Sequence, residues 1–228
     1  MSKAKLIVID GTDGSGKATQ AALLVKSLKK HMINAVGLDF PQYQTFFGKL
    51  VAQYLKNHFG RISPYLASVL YAANRMEFKD KLYAWVKEGK TVVLNRYVSS
   101  NQIHQAANID TKKERNKFVK WIGKMEYEII GLPKPDLVVF LNVPAEISYK
   151  LIEQKEPQAR RYAEGAKRDL LESDLEHQQR ALTQSFDMLN KHYKWLQIDC
   201  VKKGKLRSKE DISEEIWQSV NKLLRLKK

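Results

Sequence analysis

Cysteine is nearly missing from this chain. Cys200 stands alone among 228 residues, so no disulfide can form within it, and a reducing compartment is the simple expectation. Long apolar runs are missing too. The opening stretch MSKAKLIVIDG holds four apolar residues in a row before Asp10, too few for a secretory core or a membrane span, which sets the expectation of a cytoplasmic protein without a membrane partner. No Gly/Ser linker, repeat or low-complexity tract interrupts the sequence, so residues 1–228 are expected to form a single domain. Zinc-ligand spacings are absent as well, and His104, His177 and Cys200 read as structural or peripheral. Acidic residues are in short supply: 25 Asp+Glu face 40 Lys+Arg, a net charge of +15. Such an excess attracts nucleotides, nucleic acid and acidic membranes alike. Spread along the chain, and densest in VKKGKLRSK (201–209) and LLRLKK (223–228), it does not choose among them.

What is present is a rhythm of short β-branched runs: KLIVID (5–10), NAVGLDF (34–40), TVVLN (91–95), DLVVFLNV (136–143) and KWLQIDC (194–200). Each is apolar with little alternation, and long stretches of helical spacing lie between them. Buried strands joined by crossovers of a dozen or more residues predict an α/β protein: a parallel sheet with helices on both faces. The segment EQKEPQARRYAEGAKRD (153–169) breaks that rhythm. It is polar and basic and carries Pro157 and Gly165, as a surface loop or a flap over a ligand would.

The first strand runs into GTDGSGKAT. Gly11, Gly16 and Lys17 fall in the register of the phosphate loop G-x-x-x-x-G-K-[ST], with Ala18 where a hydroxyl normally stands and Thr19 one place late. A Gly-x4-Gly-Lys triplet should arise by accident roughly 0.08 times in a chain of this length, and this one lies between a buried-type strand and a helix start. Glycines let backbone N–H groups converge on phosphate oxygens, the helix N-terminus adds partial positive charge, and the lysine reaches the β- and γ-phosphates. Gly11, Gly14, Ser15, Gly16, Lys17, Ala18 and Thr19 are therefore the expected ATP-binding residues. The order G-x-x-G-x-G is not the dinucleotide fingerprint, which disfavours a Rossmann dehydrogenase. Ala18 removes a hydroxyl that would hold Mg²⁺, an ion that keeps several waters and leans on substrate phosphates, so the cradle survives its loss.

Three further motifs follow the later strands. FPQY (40–43) ends the second, YAANR (71–75) places Tyr71 and Arg75 on one helix face, and NRYVSSNQIHQ (95–105) puts Asn95 and Arg96 at the C-terminal end of the third, where open α/β sheets bind ligands. With RRYAEGAKRDLLES, EHQQR and the terminal IDC, these motifs and their order resemble the thymidylate kinase family nearly end to end. The resemblance implies a three-layer phosphate-loop kinase fold around a central parallel five-stranded sheet, with a short LID at about 154–169. It also implies Mg²⁺-dependent transfer of the γ-phosphoryl group of ATP to thymidine 5′-monophosphate, and a homodimer packed through helices flanking the sheet.

Carried over by position, Lys17 and the loop amides would hold the ATP phosphates. Asp13 would face the acceptor's sugar and phosphate, Phe40 would wall the pocket, Tyr71 would stack on the base and Arg75 would meet its edge. Arg96 would grip the acceptor phosphate, with Tyr97, Ser100 and His104 beside the sugar. Arg160, Arg161 and Arg168 would close over the transferring group. Each has a plainer reading: Tyr71 as a core aromatic, Arg75 paired with Glu77 or Glu126, a flap arginine as solvated surface. Phosphoryl transfer nevertheless asks for cations that neutralise two repelling phosphates and for exclusion of water, which a basic flap supplies.

The chain departs from the family pattern in places. Asn95 stands where many members have aspartate, keeping an oxygen acceptor and losing a charge near the metal. Asp10, Asp13 and Glu172 are the candidates to compensate, Asp13 and Glu172 being the expected metal contacts. Tyr43 replaces a phosphate-binding arginine, and CVKKGKLRSKE makes a long basic turn where the family places the adenine. Two alternatives stay open: a kinase for another pyrimidine monophosphate or a deoxynucleoside, and, from a different class, a catalytically decayed nucleic-acid-binding protein on the same scaffold. Retention of Lys17, Arg75, Arg96 and the flap arginines argues against the second.

Overall fold

The computed structural model describes residues 4–153, 175–190 and 194–224. Five parallel strands form one sheet in the order β2-β3-β1-β4-β5: β1 (Leu6–Gly11), β2 (Ala35–Asp39), β3 (Thr91–Asn95), β4 (Leu137–Asn142) and β5 (Trp195–Asp199). These are the five apolar runs of the sequence. Continuous hydrophobicity, without alternation, is what a strand needs when both of its faces are covered.

Successive side chains of each strand point to opposite faces, and the two layers of core follow directly. Ile7 and Ile9 of β1, with Val93, Val139 and Leu141, pack against α1 (Lys17–Lys30) through Ala21, Leu24 and Leu28, and against α9 (Lys209–Leu224) through Ile212, Ile216 and Val220. On the other face Leu6 and Val8, with Val92, Leu94 and Val138, meet Leu82 of α4 (Lys79–Lys87) and Phe118 and Ile122 of α6 (Lys112–Gly123). A smaller cluster joins α2 (Phe46–Leu55) to α3 (Pro64–Met76) around Val51, Tyr54, Leu55 and Ala67. Thr45 and Ser63 cap these two helices, each accepting a backbone N–H in its first turn, and Pro64 takes the first position of α3, where its missing N–H costs nothing.

Beyond β3 the chain coils tightly. The short α5 (Val98–Ser100) widens into a π-helical stretch, Asn101–Gln105, and α6 likewise ends in one, Lys124–Ile129. Such widened turns shift side chains off the regular 3.6-residue period and recur at functional sites. The remaining helices are α7 (Ala145–Glu153) and α8 (Leu175–Leu189), and a two-stranded hairpin, Val201–Lys202 with Lys205–Leu206, leads into α9. Among the described residues no helix is long and apolar enough to cross a membrane. The expected LID at 154–169, with Arg160, Arg161 and Arg168, lies outside the described residues, as does Glu172.

Candidate functional site

The site lies at the C-terminal ends of β1 and β3, which are neighbours in the sheet with Ile9 opposite Asn95. The glycine loop leaves β1 and is held down by its surroundings. Gly14 has φ 81°, and a Cβ there would come within 2.5 Å of the Ser148 carbonyl oxygen on α7, so backbone packs directly on backbone. Ser148 Oγ donates to the Asp13 carbonyl and lies 3.3 Å from Thr12 Oγ1. The N-cap of α1 is Gly16, φ 86°, which offers no side chain to the helix's first N–H groups, and no acidic residue occupies that turn. Those donors are left for an anion. Lys17 arches over the loop, its Nζ donating to the carbonyls of Gly11 at 3.1 Å and Thr12 at 2.7 Å. Ser15 Oγ is buried without a hydrogen-bond partner among the described residues, while Ala18 and Thr19 are exposed on the first turn of α1.

Two aspartates flank the lysine and do different work. Asp10 is fully buried at the end of β1 and accepts from the Gly11 N–H and from the hydroxyls of Ser99 and Ser100. It fastens the turn after β3 to the loop. Asp13 lies 3.7 Å from Lys17 Nζ and in direct contact with Arg96 Nη2. Burial alone would raise its carboxyl, but Arg96 foremost, then Lys17, hold it well below the usual carboxylate range. Arg96 adopts φ 65°, a left-handed conformation that costs a non-glycine residue about 1 kcal/mol, and it is 24% exposed at the mouth of the cleft. Backbone strain of this kind clusters at functional sites. Arg96 Nη1 lies 3.2 Å from His104 Nε2, and the His104 ring stacks 6.0 Å from that of His177. Burial, helped by the neighbouring Arg96, pushes the His104 pKa down to about 3. The ring is therefore neutral and accepts from the guanidinium.

A second arginine is buried more deeply. Arg75, 2% exposed on α3, is gripped by the fully buried Glu126, Nε to Oε2 at 2.6 Å and Nη2 to Oε1 at 2.8 Å. Asn101 Nδ2 donates to Glu126 Oε1 at 2.9 Å and to the Ser68 carbonyl at 3.2 Å. One residue earlier on α3, Asn74 accepts from the Gln42 N–H and donates to Thr45 Oγ1 and Glu77, which fixes the FPQY turn to the same helix.

The site expectations therefore sort by place. Asp13, Lys17, Arg96 and His104 gather at the loop, and Arg75 lies deeper, paired with Glu126, one of the two partners its plainer reading named, but in a buried pair and not on a surface. Tyr71 is half-buried beside Tyr54, their rings 6.3 Å apart. Three expectations change. Tyr97 does not face the cleft: it is fully buried and its hydroxyl donates to the Pro133 carbonyl. Phe40 is a core side chain between Phe78 and Tyr97, which buttresses the pocket from behind. Ser100 is committed to Asp10. Glu126, Ser99, Asn74 and Ser148 were not singled out as site residues, because each acts through a neighbour distant in sequence and carries no motif of its own.

Of the two expected metal contacts, Asp13 is at the loop and Glu172 lies outside the described residues. Both carboxylates near the loop are already engaged, Asp10 by three donors and Asp13 by two cations. Among the described residues no group of three or more His, Cys, Asp or Glu is placed to hold a metal ion. Asn95 Oδ1, at the end of β3, is buried and has no hydrogen-bond partner among the described residues. This donor set fits a Mg²⁺ carried on the nucleotide's own phosphates with most of its waters, and does not fit an ion caged by side chains.

A parallel sheet whose first strand ends in an uncapped glycine loop and an arching lysine defines a phosphate-loop nucleotide-binding protein. Comparison with known proteins narrows this class. The family model for thymidylate kinase matches residues 9–212, and the chain belongs to that family. It is 35% identical over 147 residues to the thymidylate kinase of Schizosaccharomyces pombe, covering 64% of this chain and 65% of that one. It is 34% identical over 142 residues to that of Plasmodium falciparum, covering 62% and 63%. The match thus spans just under two thirds of the length of these curated relatives. Among solved structures, the thymidylate kinase of Candida albicans superposes with a TM-score of 0.77 at 24% identity, over 98% of this chain and 93% of that one, which supports the fold.

Proposed function

We propose that the chain transfers the γ-phosphoryl group of ATP to thymidine 5′-monophosphate, giving the diphosphate for dTTP synthesis, as one catalytic domain over residues 1–228 in a reducing cytoplasm. The observation that carries this reading is the convergence of Lys17, at the start of α1, and Arg96, just after β3, on the single carboxylate of Asp13. Two cations so placed can take the donor phosphates on one side and the acceptor phosphate on the other. Asp13 keeps them together meanwhile, since like charges at that distance would otherwise spread apart. The α1 N–H groups and Lys17 bind the triphosphate, Arg96 orients the acceptor in line with it, and Tyr71 and Arg75 hold the base. A bound Mg²⁺ would neutralise phosphate charge, and Asn95, the last residue of β3, would accept from one of its waters.

The chain's basic LID completes this reading, with Arg160, Arg161 or Arg168 as the group that closes over the phosphates. Homodimer formation belongs to it also. Leu66, Val69 and Met76 of α3 are 50%, 43% and 56% exposed on one flank, and Phe46 of the adjoining α2 is 69% exposed, an apolar face suited to a second copy. The Candida albicans structure was described as revealing the origin of broad substrate specificity, so other pyrimidine monophosphates are included as acceptors to be tested. A coupled ADP-release assay over the common nucleoside monophosphates, with ATP and Mg²⁺, is expected to respond most strongly to dTMP. ADP release that no monophosphate stimulates would defeat the reading.

A further inference from the structure

Glu126 is a carboxylate that the proposed chemistry does not use, yet it is buried completely and makes three charge-assisted or amide hydrogen bonds. A guanidinium carries five N–H donors and no acceptor. Glu126 takes the Nε edge and one donor of Nη2, and no described residue is bonded to Nη1. The rest of the fork is fixed in direction, because a bidentate pair sets the guanidinium plane. Asn101 holds Glu126 in turn, and both of its amide hydrogens are engaged, one by Glu126 Oε1 and one by the Ser68 carbonyl.

Both clamps come from π-helical turns, Glu126 from Lys124–Ile129 and Asn101 from Asn101–Gln105. The second turn also carries His104, which touches Arg96. One rigid segment therefore links the two arginines that would hold the two ends of an acceptor nucleotide. Electrically they differ. Arg75 is matched one-to-one by Glu126, so that end presents directional donors with little net charge, suited to a neutral base rather than to a phosphate.

We propose that Glu126 is a positioning residue for base selection: it locks Arg75 so that the donors left over meet only a hydrogen-bond acceptor, the 4-carbonyl oxygen of thymine or uracil. An exocyclic amine at that position, as in cytosine, would set donor against donor. This rests on the thymidylate reading and on Arg75 lining the acceptor pocket; it adds the residue that makes Arg75 selective.

Glu126→Gln is the direct test. Glutamine keeps the shape but turns one N–H pair toward a partner that has only donors, so Arg75 must rotate. The KM for dTMP should rise about tenfold, with kcat within about twofold and the KM for ATP unchanged. The control substrate is the 2′-deoxy monophosphate of 2-pyrimidinone, which lacks the 4-oxygen. Wild type should use it at least tenfold less well than dTMP, and Glu126→Gln should handle it no worse than wild type does. A variant that loses equally on both nucleotides shows Glu126 to be structural only and overturns the inference. Should the variant fail to fold, the wild-type comparison decides alone, and equal use of the two nucleotides overturns it. Absence of dTMP turnover in wild type would instead defeat the functional reading itself.

Discussion

Arg96 and Arg75 each meet a buried carboxylate, but on different terms. Asp13 is shared between Arg96 and Lys17, the lysine 3.7 Å away, and Arg96 stays 24% exposed in a strained backbone conformation. Arg75 has both oxygens of Glu126, on an ordinary helix with 2% exposure. A shared, half-open pair can be exchanged for incoming phosphate with little cost, because water and the phosphate replace the carboxylate in turn. A closed bidentate pair cannot, since breaking it strands a charge in low dielectric. The contrast matches the proposed roles, one end handling dianions that arrive and leave, the other holding a fixed template.

The largest effect should fall at the phosphate end. Lys17→Ala is expected to lower phosphoryl transfer about 10³-fold, with the circular dichroism of the folded protein unchanged. Arg96→Ala should cost about 10²-fold in kcat/KM for the acceptor and leave the KM for ATP alone. If both variants lost ATP affinity equally, the division of labour between the two strand ends would be wrong.

Stability should show the opposite ranking. Glu126→Ala leaves Arg75 buried and unpaired, at about 3–5 kcal/mol, whereas Asp13→Ala leaves Arg96 with His104 and solvent, at about 1 kcal/mol. Urea unfolding of the two variants measures the difference directly. Equal losses would mean that Asp13 is as closed a partner as Glu126.

That ranking also separates what was legible in the sequence from what was not. The five strands announced themselves because a doubly covered strand must be apolar throughout, and the loop because glycines at fixed spacing serve few other purposes. Arg96 was legible for a related reason: a charged residue just after TVVLN has no core role to play. Glu126 was named only as a plain partner for Arg75, since its neighbours Met125 and Tyr127 follow no helical period once the turn widens. Tyr97 and Phe40 misled because aromatic residues inside a motif look like pocket walls, and only tertiary packing shows that they stand behind the wall. Asp13 was placed near phosphate and metal from its position in the loop; of the two cations that engage it, Lys17 is four residues on in the same loop, but Arg96 follows β3, which spacing within the loop cannot reveal.

The Arg96 end should also show itself in the pH dependence of stability. Burial holds the His104 pKa near 3 against its ordinary 6.5, with Arg96, His177, Lys17 and the opposing Asp13 around it. As pH falls through 6.5 the unfolded chain takes a proton that the folded chain refuses until about pH 3. Stability attributable to His104 is therefore full above 6.5 and declines across that window by about 1.4 kcal/mol per pH unit. Asp13 contributes in the same sense but lower down: its folded pKa is depressed below 3.8, so its contribution is present above that value and is lost only in stronger acid. Between pH 6 and pH 4 His104→Asn should accordingly flatten the dependence of the urea midpoint on pH. An unchanged slope would show that the ring is not kept neutral by the fold.

The smallest expected effect concerns Asn95, whose buried Oδ1 lacks a hydrogen-bond partner among the described residues beside a loop whose own carboxylates are engaged. Asn95→Asp places a charge at a buried atom that has no hydrogen-bond partner among the described residues. Without nucleotide the variant should be less stable than wild type, because a buried carboxylate left unpaired must either lose solvation or take up a proton. With ATP and Mg²⁺ the deficit should close, and activity at limiting Mg²⁺ should rise by about threefold, the carboxylate binding the ion's waters more firmly than an amide does. Thermal melts at stepped Mg²⁺, with and without ATP, read the two effects separately. A variant destabilised equally in all conditions would place the ion away from β3, and the phosphate end would then owe its selectivity to Lys17 and Arg96 alone.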